Sequence, residues 1–219
     1  MTELINNPKV IKNAFKYLSK DPVMKFFISK FGNKINPIER YDSNYAISIC
    51  NLIIEQQISF KAAITIKNKF LKLTCNKSNT EILKIKNEKI QKIGISYRKV
   101  EYIKNVLNFF QHNNLQIEGL SNDEIIKSLS EIKGVGNWTC EMFLMFVCFR
   151  KDIFSFGDLA LVNSMKINYQ ENDIETLKLI VLKWKPYRTV AALLLWFSIE
   201  NKIFFQSNNL LNKFLSTLK

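Results

Sequence analysis

Between Leu129 and Asp158 the chain reads LSEIKGVGNWTCEMFLMFVCFRKDIFSFGD, and this run restricts the fold more than any other. Gly134-Val135-Gly136 separates two stretches of helical apolar spacing, so two helices meet there at a very short turn. Two glycines in three positions allow positive φ and a close approach of backbone to a partner. The second helix opens on Trp138, and its first N–H groups and dipole suit a phosphate. The same turn also reads as an ordinary helix–helix connection, anchored by Val135 in the core. Gly157-Asp158 then opens a further helix. Asp158 suits two uses, an N-cap before Leu159-Ala160-Leu161 and a carboxylate acting on a sugar, and they are compatible because each needs one oxygen.

The rest of the chain points to an all-α fold. Only 6 Gly and 4 Pro occur in 219 residues, 47% of the residues are hydrophobic, and strand-type alternation is weak throughout. Residues 8–31 read as two helices split at Asp21-Pro22, with Asp21 as cap and Pro22 in the first turn. Asn36-Pro37 marks a loop. A helical pattern runs from Asp42 to Leu73, interrupted at Glu55-Gln56-Gln57-Ile58-Ser59, with Ser59 placed to cap the second part. A short helix starts at Thr80-Glu81-Ile82, and Ile93-Gly94-Ile95-Ser96 makes a turn. Tyr97 to Phe110 is amphipathic, and Ser121-Asn122-Asp123-Glu124 is a capping box. Thr176 to Trp184 and Tyr187 to Ile199 are helices parted at Pro186.

The net charge of +13 favours a polyanion as partner, nucleic acid first, the bland alternative being a solvated lysine surface. Cys50, Cys75, Cys140 and Cys148 form no CxxC pair, and the single His112 completes no plausible zinc set, so a reduced intracellular protein without a cysteine-built metal site is expected. The N-terminus lacks a signal-peptide pattern and no apolar run is long enough for a membrane span.

Trp138, Trp184, Tyr187 and Trp196 are the aromatic set. Trp138 follows the hairpin and Tyr187 follows Pro186, positions from which a ring can stack on an extruded base as readily as it can pack in a core. Trp196, inside an apolar run, is assigned to the core. Gln56 and Gln57 break an apolar pattern, either as a helix-end amide network or as a side chain filling the hole left by a flipped base. Arg188 reads equally as partner of an acid and as a phosphate clamp.

Taken together, IEQQIS (54–59), GISYRKVEYI (94–103), LSEIKGVGNWTCEM (129–142), DIFSFGD (152–158) and KWKPYRTVAALLLW (183–196) resemble, in order, the helix–hairpin–helix DNA glycosylase superfamily, and within it the alkyladenine branch. The resemblance implies two helical subdomains flanking a cleft, residues 1–45 with 155–219 and residues 46–154, the helix–hairpin–helix lying at about 125–149. It implies Asp158 as catalytic carboxylate and Trp138, Tyr187 and Trp184 as candidates for base stacking, with the choice between Trp184 and Tyr187 open. It places the wedge at Gln57 or its neighbours Gln56 and Ile58. Phosphate contacts fall on Gly134, Val135 and Gly136, flanked by Lys133 and Thr139, with a monovalent cation at the hairpin carbonyls as an option and no cofactor.

Departures from the family pattern are informative. Trp138 stands where the bifunctional branch carries a Schiff-base lysine, so a monofunctional enzyme is expected. No cysteine follows Cys148 in this sequence, so the iron–sulfur loop of the endonuclease III type is not expected. Fifty-three residues precede the first motif, and an added N-terminal β domain is not expected. Asn163 and Ser164 replace basic residues often found after the aspartate. The expected activity is excision of alkylated purines from double-stranded DNA in base excision repair, by a monomer, in the nucleoid of a bacterium or archaeon or the nucleus of a eukaryote. The rivals are a glycosylase for oxidised, deaminated or mismatched bases, a non-catalytic helix–hairpin–helix DNA-binding module, and a helical scaffold with lysines as mere surface.

Overall fold

A computed structural model describes residues 4–37, 44–113 and 115–205. Asp42, expected to begin a helical pattern, lies outside them. The described residues form helices and one isolated antiparallel bridge, Leu4 to Arg150, with no strand among them. They divide into two compact units, one of residues up to 37 and from Phe149 on, the other of residues 44–148.

The first unit contains α1 (Pro8–Leu18) and α2 (Pro22–Phe31), a 3-10 turn at Gly32–Lys34, and then α10 (Leu159–Tyr169), α11 (Ile174–Leu182) and α12 (Arg188–Glu200). Its core forms where α12 packs on α1, α2 and α10. Phe27, Phe31 and Trp184 are among its fully buried side chains. Asp21 caps α2 through Val23 N and Met24 N at 2.9 and 3.2 Å, with Pro22 in the first turn. Trp196, expected in the core, is only half-buried.

The second unit runs α3 (Tyr45–Glu55), α4 (Phe60–Thr74), α5 (Asn79–Leu83), α6 (Asn87–Gln91), α7 (Tyr97–His112), α8 (Asn122–Ser130) and α9 (Asn137–Phe146). It is built around α3, which packs on α4, α7 and α9 and buries Ile49, Cys50, Ile53 and Ile54. Side-chain caps mark the expected starts: Ser59 before α4, Ser96 before α7, and the Ser121–Glu124 box before α8. The one-turn α6 has no side-chain cap and left no signal in the sequence.

The division between units falls at Cys148/Phe149, six residues before the boundary expected at 154/155. Residues 149–153 are tied to the first unit by backbone bonds, Ile5 N to Phe149 O at 2.9 Å and Thr189 N to Lys151 O at 3.1 Å. Among the described residues no helix is long and apolar enough to cross a membrane.

Candidate functional site

The hairpin between α8 and α9 is closed by two short-range bonds, Ile132 N to Leu129 O at 3.1 Å and Val135 N to Ile132 O at 2.9 Å. Gly134 has φ +106° and lies against Tyr102 of α7, so closely that a Cβ there would fall 2.2 Å from Tyr102 Cγ. Gly136 is the N-cap of α9, in extended conformation, with open space where a Cβ would stand. It offers α9 no side-chain cap. This helix start therefore differs from those of α3, α4, α7 and α8, where an Asn or Ser side chain bonds the first turn. It suits an incoming anion, which meets first-turn N–H groups and the positive end of the helix dipole.

Several expected phosphate contacts are used otherwise. Val135 is buried and its N–H is committed within the hairpin. Thr139 is 1% exposed, and its Oγ1 accepts from Gln56 Nε2 at 3.0 Å. Lys133 is exposed, while its carbonyl accepts from Asn105 Nδ2 at 3.1 Å. The Gly134 carbonyl accepts from Gln56 Nε2 at 3.2 Å. Two of the carbonyls considered for a cation thus already serve side-chain amides. Among the described residues no group of three or more His, Cys, Asp or Glu is placed to hold a metal ion.

The Gln56-Gln57-Ile58 patch separates into different roles. Gln56 ties the end of α3 to the hairpin by its two amide bonds, a structural brace rather than a wedge. Gln57 is exposed, with φ +55°, in the turn between α3 and α4. Ile58 is half-buried beside it. Trp138, on the first turn of α9, is also half-buried.

In the other unit, Asp158 is half-buried at the N-cap of α10, where its Oδ1 accepts from Leu161 N at 2.9 Å. The segment leading to it is fastened to the start of α12. Arg188 Nε and Nη2 donate to Asp152 Oδ1 and Oδ2 at 2.7 and 3.1 Å, and Nη2 also to Asp152 O at 2.9 Å. Arg188 is therefore the partner of an acid. The buried Thr189 hydroxyl donates to Arg150 O at 2.7 Å and accepts from Ile153 N at 3.0 Å. Ser164, at the position discussed for a phosphate contact, is buried and bonded to Leu195 O and Ser198 Oγ.

The choice between Trp184 and Tyr187 also resolves within this unit. Trp184 is 1% exposed, its Nε1 donates to Asp21 Oδ2 at 3.1 Å, and its ring packs on Phe154 and Tyr169. It is a core residue with no face for a base. Tyr187 is half-exposed, 5.6 Å from Tyr17 between ring centroids, with the Lys151 ammonium 5.5 Å from its ring.

Reading the sequence missed Thr189, Asp152, Tyr102 and Lys99. The last donates to Ile54 O at 2.9 Å and Gln56 O at 2.5 Å, and burial holds its pKa below the ordinary lysine value. Its position within GISYRKVEYI was the available signal, but its partners lie 45 and 43 residues away.

The sequence profile described as HhH-GPD superfamily base excision DNA repair protein matches residues 50–186. DNA-3-methyladenine glycosylase 1 of Schizosaccharomyces pombe is 34% identical over 155 residues, covering 66% of this chain and 68% of the relative. An alkylbase DNA glycosidase-like protein of the same yeast is 32% identical over 160 residues, covering 68% and 75%. The solved structure of the Schizosaccharomyces pombe 3-methyladenine DNA glycosylase in complex with abasic DNA is similar at a TM-score of 0.77 and 26% identity, covering 90% of this chain and all of that one.

Proposed function

Since this chain belongs to the HhH-GPD superfamily of base excision DNA repair proteins, we propose that it is a monofunctional DNA glycosylase that removes alkylated purines such as 3-methyladenine and 7-methylguanine from double-stranded DNA. The observation that carries the proposal is the likeness to 3-methyladenine glycosylases in both sequence and structure, and Asp158, held at a helix N-terminus, lies within the residues 50–186 that the family profile matches.

In this reading the basic surface and the open start of α9 bind the DNA backbone. A damaged nucleotide leaves the stack, and Gln57 fills the gap. Trp138 and Tyr187 are the rings offered to the extruded base. An N3- or N7-alkylated purine is cationic, so aromatic faces favour it by about 0.5–2 kcal/mol. The same charge weakens the N-glycosidic bond. That bond breaks with its electron pair leaving on the base, which departs neutral, and water adds to C1′ of the sugar and loses a proton to solvent. Asp158 stabilises the oxocarbenium-like sugar and orients that water. No lysine stands at the Schiff-base position, so the product is an abasic site in an unbroken strand.

The test is base release from methylated duplex DNA, resolved by chromatography, for wild type and Asp158→Asn. Asparagine also caps helices well, so the fold is retained. The expected result is release of 3-methyladenine and 7-methylguanine by wild type and a loss of about a hundredfold or more in the variant. Release of oxidised or deaminated bases alone moves the activity to the first rival. Tight DNA binding with no release of any base leaves only the non-catalytic module.

A further inference from the structure

We infer that Lys99 is the positioning residue of the wedge turn, its ammonium fixing the backbone that presents Gln57, an inference that rests on the reading of Gln57 as the wedge. Helix α3 ends at Glu55, and the last carbonyls of a helix have no partner within it. Lys99, from the first turn of α7, reaches that end and donates to Ile54 O at 2.9 Å and to Gln56 O at 2.5 Å. An ammonium there also meets the negative end of the helix dipole. The residue immediately after these carbonyls is Gln57, at φ +55°, a conformation that a non-glycine residue keeps only when its surroundings hold it.

Hydrogen bonds contribute to that hold. A cavity of about 200 Å³ lies beside the turn, and Ile54, Gln56, Gln57, Ile58, Gly94 and Lys99 are among the residues that line it. The turn borders this space, and hydrogen bonds fix its backbone. Gln56 anchors one side of the turn to Gly134 O and Thr139 Oγ1, and Lys99 anchors the carbonyls. Gln57 itself stays exposed, free to enter a duplex while its backbone is fixed. A fixed wedge loses less conformational freedom on insertion, and that is the advantage the lysine confers.

A double-mutant cycle tests this, read by single-turnover release of 7-methylguanine from duplex DNA and by a fluorescent base beside the lesion that reports extrusion. Lys99→Met and Gln57→Ala each slow both signals about tenfold, and the double variant stays within about twofold of Gln57→Ala alone. Affinity for undamaged duplex stays within about twofold in Lys99→Met. Multiplied losses in the double variant would overturn the inference, because Lys99 then acts elsewhere than through Gln57. A tenfold drop in affinity for undamaged DNA would overturn it too, reassigning Lys99 to a phosphate. Unchanged rates in Gln57→Ala alone would instead remove the wedge reading, and the role of Lys99 with it, a result distinct from either. If Lys99→Met loses its thermal unfolding transition, Lys99→Gln, which keeps one donor on a shorter stem, carries the same cycle with the same criteria.

Discussion

Gly134 and Gly136 flank the same valine, yet their surroundings differ. Gly134 has positive φ and presses on the base of the Tyr102 ring, where no flexible end is free to swing aside. Gly136 is extended and faces open space, so nothing in the described fold requires glycine there. Gly134→Ala should therefore destabilise the protein by about 2–3 kcal/mol, from left-handed strain and overpacking together. Gly136→Val should cost less than about 1 kcal/mol, the difference between glycine and valine at an N-cap, while weakening DNA affinity about tenfold by blocking approach to the first turn of α9. Urea denaturation and a binding titration separate the two. Unchanged affinity in a folded Gly136→Val variant would take the hairpin out of the binding scheme.

Helix starts were the most legible elements because a cap is a local device. Asp21, Ser59, Ser121 and Asp158 each bond within three residues of themselves, and each lies where the sequence places it. What stayed hidden was long-range. Nothing near Trp184 shows that Asp21, 163 residues away, accepts its Nε1, and nothing near Gln56 shows that Thr139, 83 residues away, accepts its amide. Asp21 combines both kinds of information. One oxygen caps α2, and the other accepts from Tyr169 Oη at 2.8 Å and Trp184 Nε1 at 3.1 Å, joining α2 to α10 and to the turn after α11. Burial, then the Asp21 charge and hydrogen bond, push the Tyr169 phenol well above its ordinary pKa, so it remains a donor. Asp21→Ala should destabilise by about 3–4 kcal/mol, a lost cap plus two stranded donors, and Asp21→Asn by less, since the amide oxygen still accepts. Denaturant midpoints measure both, and a loss below about 1 kcal/mol for Asp21→Ala would show that the two donors find other partners.

At the scale of the whole chain, the order of five motifs carried what no single one did. Asp158 alone reads as a cap, and it is one; its proposed catalytic role rests on the motifs around it and on the family to which they assign the chain. The division between units falls at Cys148/Phe149 and not at 154/155, because the bonds of residues 149–153 go to Ile5 and Thr189, partners that no local pattern reveals. The net charge of +13 is the other global property, compatible with a DNA-binding face and with a merely solvated lysine surface, and salt dependence separates the two. Lysines that neutralise phosphates release counterions, so affinity falls steeply with salt, whereas scattered lysines give no measurable duplex affinity to lose. A footprint of about four phosphates gives a drop of about a hundredfold between 50 and 200 mM salt. The phosphate contribution is independent of sequence and of damage. Lesion-bearing and undamaged duplex should therefore give parallel lines of log affinity against log salt, and Asp158→Asn should follow the same slope as wild type. A slope that changes with Asp158→Asn would mean that this carboxylate acts on the electrostatics of binding, contradicting a role confined to the extruded nucleotide. A flat line for wild type would remove duplex DNA as the partner and the basic surface as its cause.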